Sequence, residues 1–185
     1  GGSARDFFGW PELLGPGVEL RAVQPPGRLE RFREPALYDL RAIAAGVAAD
    51  LAELEPLPFV LFGDCMGALV AYEVVDALRA RGLPGPAALV VGSYLPPDQP
   101  RTRRRYADAP PAELRERLRE VGGVPAEVLA DPELLELLLP VLRADFRLCE
   151  TYRHADRGFR LDCPVHVFLA EEDHLVGAQD AAAWA

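Results

Sequence analysis

At 185 residues the chain is long enough for one sizeable domain with its own core. Lys+Arg of 20 against Asp+Glu of 29 gives a net charge of −9, which argues against nucleic acid as the main partner, because phosphate binding needs a basic footprint. Cys65, Cys149 and Cys163 follow no disulfide-framework spacing and suit a reducing cytoplasm, and no apolar run approaches a membrane span.

Taken in order, Ser3 to about Leu14 reads as a short helix capped by Ser3 and carrying Phe7, Phe8 and Trp10. Val18 to Val23 reads as a strand, ended by Gln24-Pro25-Pro26-Gly27, with a polar loop over Arg28 to Pro35. Leu37, Leu40, Ala44, Val47, Leu51 and Leu54 recur at threes and fours, as one buried stripe of an amphipathic helix. A strand over Phe59–Phe62 follows, then a helix to Arg81 with Gly82 as its stop. Ala87 to Val91 is too continuous for a half-solvated strand and reads as a parallel strand covered on both faces.

Strand and helix therefore alternate from residue 18 to residue 93, as in a parallel α/β sheet. The alternation breaks over Leu95 to Pro111, and a long helical stretch follows. Within it, Asp131-Pro132-Glu133 is a helix start, and Pro140 should kink the helix it opens. Such an insertion reads either as a lid over a pocket or as an extra layer of core helices. Val165 to Leu169 resumes the sheet, and a further helix begins after Val176.

Between the Phe59–Phe62 strand and the next helix stands Gly63-Asp64-Cys65-Met66-Gly67, a nucleophile-elbow pattern with sulfur in place of the usual hydroxyl. Such a turn forces its middle residue into strained backbone, with flanking glycines sparing it side-chain clashes. It raises the nucleophile at the positive end of a helix. Other hydroxyls and thiols (Ser3, Ser93, Thr102, Thr151, Cys149, Cys163) lie outside any such turn, and the two other cysteines read as small core residues. The helix N-terminus would lower the Cys65 pKa and the neighbouring Asp64 would raise it; the alternative for Cys65 is an elbow kept as scaffold. Asp173 follows the last strand, where the order nucleophile, acid, histidine requires the acid; position alone would equally make it a loop carboxylate beside Glu171 and Glu172. None of His154, His166 and His174 follows Asp173 by enough chain to return over the sheet, so the base is expected beyond Ala185 or the site is incomplete. Arg101, Arg103, Arg104 and Arg105 form one basic run, either solvated or a dock for an acidic partner.

Five ordered landmarks resemble the type II thioesterases of polyketide and nonribosomal peptide biosynthesis, members of the α/β-hydrolase fold. They are Gly1-Gly2-Ser3-Ala4, Gln24-Pro25-Pro26-Gly27-Arg28, the Gly63–Gly67 elbow, Leu142-Arg143-Ala144-Asp145-Phe146, and Ala170-Glu171-Glu172-Asp173-His174-Leu175-Val176. Two departures stand out: Asp64 replaces a histidine and Cys65 a serine. The resemblance implies an α/β-hydrolase fold with a mostly parallel sheet and helices on both faces. Residues 1–94 would form the first half of the core, 95–160 the helical lid, and 161–185 the resumed core, truncated at both ends. It implies cytoplasmic release of acyl groups from phosphopantetheine on an acyl or peptidyl carrier protein, with no cofactor of its own and no nucleic-acid or membrane partner. Cys65 would be the nucleophile, Met66 N–H an oxyanion donor and Asp173 the acid. Because a cysteine exchanges one thioester for another, acyl transfer or cyclisation through the same intermediate stays open beside hydrolysis, as does an inactive carrier-binding relic.

Overall fold

A computed structural model describes residues 2–99, 105–158, 160–174 and 176–184. Arg101, Arg103 and Arg104 of the basic run, and Gly1 and Leu175 of two landmarks, lie outside the described residues.

The sheet contains β1 (Val60–Asp64), β2 (Ala88–Gly92) and β3 (Val165–Phe168), all parallel, in the order β1-β2-β3. Leu61, Leu89 and Val165 lie abreast in register and form one apolar row. Against this row packs helix α3 (Met66–Ala80), whose Ala68 and Ala71 allow close approach to Leu89 and Val91. Helix α2 (Leu40–Ala52) covers α3 through Ala44 and Ala48 against Val74 and Leu78. Asp39 starts α2 by accepting the Arg41 N–H at 2.9 Å, so Leu37 and Leu54 of the expected stripe flank the helix instead of lying in it. Gly82 stops α3 at φ +67°: its N–H reaches Arg79 O and the Leu83 N–H reaches Leu78 O, each at 3.0 Å.

Three expectations change. The single helix over residues 3–14 is instead a 3₁₀ turn, Ala4–Phe7, followed by the short helix α1 (Trp10–Leu14). Ser3 is the N-cap of that turn, and its N–H donates to Asp6 Oδ2 at 2.7 Å. Val18–Val23 is not a strand: Val18 N–H turns back to Gly15 O at 3.3 Å, and no described strand pairs with the segment. β-type residues make a strand only where a neighbour takes up the backbone hydrogen bonds. Finally, β2 is buried unequally, with Leu89 and Val91 enclosed by α3 and Ala88 and Val90 half-buried. On that second face Phe7 and Trp10 cover Phe62, with ring centroids at 6.0 and 4.9 Å.

Between β2 and β3 stand α4 (Pro111–Val121), α5 (Ala126–Ala130) and α6 (Pro132–Thr151). Asp131 caps α6, accepting from Glu133 and Leu134 N–H, and the helix continues through Pro140. These helices share a cluster of their own, Leu114, Leu118, Leu129, Leu135 and Leu142 around Tyr106. The C-terminal part of α6 joins the main core, where Leu148 and the following Tyr152 meet Leu40, Ile43, Met66 and Leu69. Helix α7 (Ala178–Ala182) follows β3, and no described helix is long and apolar enough to cross a membrane.

The exit of α6 is fastened to α3 by charge. Glu73 and Asp76 are 4 % and 2 % exposed, so both need partners. Glu73 accepts from the Tyr152 hydroxyl at 2.7 Å and from Arg41 Nε at 3.2 Å, while Arg157 and Arg79 pair with Asp76. Removing Glu73 takes away a 2.7 Å acceptor of the Tyr152 hydroxyl and weakens the hold on Arg41 and Arg157. Glu73→Ala is therefore expected to cost about 2–4 kcal/mol. Glu116→Ala, at an exposed pair with Arg119, should cost less than about 0.5 kcal/mol. Urea unfolding of the two variants side by side measures the contrast, and equal losses would contradict it.

Candidate active site

β1 ends at Asp64 and α3 begins at Met66, so Cys65 is the whole connection. It sits at φ 52°, ψ −124°, a left-handed conformation that a side-chain-bearing residue adopts only when its surroundings enforce it. Cys65 N–H donates to Gly92 O at 2.9 Å, and Cys65 O accepts from Ala68 N–H at 2.9 Å. The first bond ties the turn to β2 and the second to the first turn of α3. A Cβ on Gly63 would lie 2.1 Å from Gly67 O, so glycine at 63 is obligatory. The second glycine works differently from expectation. A Cβ on Gly67 would meet nothing within 4 Å; its part is to bring its own backbone against Gly63. Gly92 likewise leaves room for Asp64, whose Oδ1 would lie 2.7 Å from a Cβ there.

Because the strands are parallel, the segments after β1 and β3 emerge at the same edge of the sheet. That puts Cys65 and Asp173 on one edge. Asp173 is half-buried in a turn, its N–H on Ala170 O at 3.1 Å and its Oδ1 accepting the Val176 N–H at 3.0 Å. The histidines lie elsewhere. His166 is in β3 opposite Val90, His154 packs against Tyr72 at 5.8 Å beyond α6, and His174 is exposed next to Asp173.

A second construction stands next to the elbow. Gln24 Oε1 accepts the Ala4 N–H at 3.0 Å, and Gln24 Nε2 donates to Arg28 O at 3.2 Å. Arg28 Nη1 donates to Gly2 O at 2.7 Å, and its Nη2 pairs with Asp145 Oδ1 at 2.6 Å. Three of the five landmark motifs, remote in sequence, therefore meet in one hydrogen-bonded network.

The model of the thioesterase domain family matches residues 1–185. The chain belongs to that family. It is thus an enzyme of the thioester hydrolase class, with the α/β-hydrolase-type fold of its neighbours. It is 34% identical over 185 residues to the gramicidin S biosynthesis protein GrsT of Aneurinibacillus migulanus, covering 100% of this chain and 72% of that relative. Among solved structures, the RedJ thioesterase from the prodiginine pathway of Streptomyces coelicolor superposes with TM-score 0.90 at 37% identity, over 99% of this chain and 72% of that one. YbtT, a type II thioesterase from the yersiniabactin NRPS/PKS pathway, superposes with TM-score 0.83 at 30% identity, over 99% and 74%.

Within this thioesterase-family chain the three thiols differ in setting. Burial pushes the Cys149 thiol up to about 11, against a lowering hydrogen bond from Tyr94. Burial also raises Cys163, which packs beside Leu89 and Val165. Neither lies in a strained turn. Cys65 is raised as well: surrounding protein displaces water from the thiol, though the residue as a whole reaches solvent. The Met66 N–H hydrogen bond pulls the other way, while the negative charges of Asp64 and Asp145 add to the rise. Between the helix N-terminus and Asp64, desolvation decides the balance, an effect that adjacency in sequence does not reveal.

The sequence did not reveal that Gln24, Arg28 and Asp145 join one network. They occur in the landmark motifs, yet Arg28 and Asp145 are 117 positions apart and no local pattern pairs them.

A thiol raised in this way reacts slowly near neutral pH and faster as alkali forms the thiolate. Asp64→Asn deletes one negative neighbour, so it should lower the thiol pKa and speed iodoacetamide alkylation of Cys65 about two- to fivefold near neutral pH. Peptide mass mapping of the labelled chain gives the rate, and an unchanged rate would mean that solvent screens the Asp64 charge.

Proposed function

We propose that the protein releases acyl groups from the phosphopantetheine arm of an acyl or peptidyl carrier protein in polyketide or nonribosomal peptide biosynthesis, through an acyl-Cys65 intermediate. The observation that carries this reading is the Cys65 backbone, held at φ 52°, ψ −124° at the mouth of α3 with the Met66 N–H against its sulfur. Such strain is kept where it presents a reacting atom.

In the proposed cycle the deprotonated Cys65 sulfur attacks the thioester carbonyl carbon, and the carbonyl electrons move onto oxygen next to the Met66 N–H. Collapse breaks the bond to the carrier's sulfur, which leaves as thiolate and takes up the proton that Cys65 gave. Water then adds to acyl-Cys65, and a free acid departs as the Cys65 thiol is restored. One thioester and one water become one acid and one thiol. Asp173 is assigned the role of orienting an imidazole that shuttles the proton, a part this reading gives to none of His154, His166 and His174. The separate cluster of α4–α6, with Leu148 reaching Met66, supports a lid role for this segment.

A second reading follows from the sulfur itself. Acyl-Cys65 is a thioester and keeps its reactivity towards an amine or alcohol, so transfer or ring closure uses the same intermediate. Incubation with an acyl-carrier substrate should give an acyl adduct on Cys65 by intact mass. Cys65→Ala should lose the adduct and about a thousandfold or more in turnover. Free acid as sole product supports hydrolysis, whereas a product retaining an added nucleophile supports transfer. Neither adduct nor turnover with any acyl carrier would sink both readings and leave a carrier-binding relic.

A further inference from the structure

The Arg28–Asp145 pair is almost enclosed, with side-chain exposures of 11% and 8%. Burying such a pair contributes little stability compared with apolar residues of the same shape, so its value is better sought in geometry. The guanidinium divides its fork between Gly2 O, in the segment leading into the Ala4–Phe7 turn, and Asp145 on α6. The backbone of Arg28 is fixed in turn by Gln24, which also holds the Ala4 N–H. Gly27 makes this compact at φ +85°, where a Cβ would come 3.2 Å from that of Ala36. Both held elements border the elbow. The Ala4–Phe7 turn rests Phe7 on Phe62 of β1, and α6 sends Leu148 into the cluster containing Met66.

We infer that Arg28 is a positioning residue for thioester cleavage: its fork holds the segment leading into the Ala4–Phe7 turn and helix α6 in a fixed relation beside the Cys65 elbow. This rests on the acyl-Cys65 reading. A lysine keeps the charge but cannot hold two planar partners in the same way. The pair also bears on the charge around the nucleophile. The ionisable groups facing Cys65 are Asp64 at the end of β1, and Asp145 and the Cys149 thiol on α6. Arg28 pairs with Asp145, and its removal takes one positive charge from beside that carboxylate.

The test compares Arg28→Lys, Arg28→Met and Arg28→Met/Asp145→Leu in the full chain. It measures turnover of an acyl-pantetheine thioester, Cys65 alkylation against pH by mass mapping, and a melting curve. Arg28→Lys should lower kcat by about tenfold or more with KM within about twofold, and leave the alkylation profile in place. Arg28→Met should also move the alkylation profile to higher pH, slowing it about threefold near neutral pH. The double variant should return the alkylation profile to lower pH without recovering kcat. If Arg28→Met fails to fold, the other two variants still decide. Wild-type kcat in folded Arg28→Lys, or loss of melting temperature alone, would overturn the inference. If the unmutated chain turns over no thioester, the acyl-Cys65 reading fails instead; the alkylation profiles then decide, and superposition of Arg28→Met, or of the double variant where Arg28→Met does not fold, on the wild type counts against Arg28.

Discussion

The site depends on a backbone contact that only glycine permits. Gly63 and Gly67 approach until no Cβ fits on Gly63, and that approach folds the chain from β1 into α3 across the single residue Cys65. The strain at Cys65 is sustained because both its backbone groups are used, the N–H by Gly92 and the carbonyl by Ala68. Sheet and helix thus hold the turn from opposite sides. A parallel sheet then brings the segment after β3, with Asp173, to the edge that carries the elbow, without any long-range sequence pattern.

Around that edge the structure relies on buried charge where apolar packing would suffice for stability. Glu73 and Asp76 fasten the exit of α6 to α3, and Arg28 with Asp145 fastens α6 to the segment leading into the Ala4–Phe7 turn. Both attachments fall on α6, whose N-terminal half packs with α4 and α5 and whose C-terminal half packs with the main core. The helix therefore bridges a separate cluster and the site, and directional bonds set its position more sharply than leucines alone would.

Much was legible in the sequence where local chemistry decides the outcome. The elbow, the Asp131 cap of α6, the Gly82 stop of α3 and the parallel strand before Ser93 follow from short-range sterics and hydrogen bonding. The segment Val18–Val23 was misread because its residue types favour β structure, yet a strand is a property of two neighbours and none of the described strands pairs with it. The role of Gly67 was misread for a related reason: the clash belongs to a pair of residues, and the partner's backbone is invisible from the pattern. Among the histidines, His166 lies in β3 opposite Val90, His154 packs on Tyr72 and His174 is exposed beside Asp173.

The sequence by itself determined the succession of α2, β1, α3 and β2, the nucleophile's place between β1 and α3, and the family landmarks, since each is written within a few residues. Tertiary structure alone decided which landmarks touch. Arg28 reaches Asp145 across 117 positions because the sheet and α6 fold them together. It also decided the state of the Cys65 thiol, because desolvation depends on every atom packed around the sulfur and not on the residue next to it.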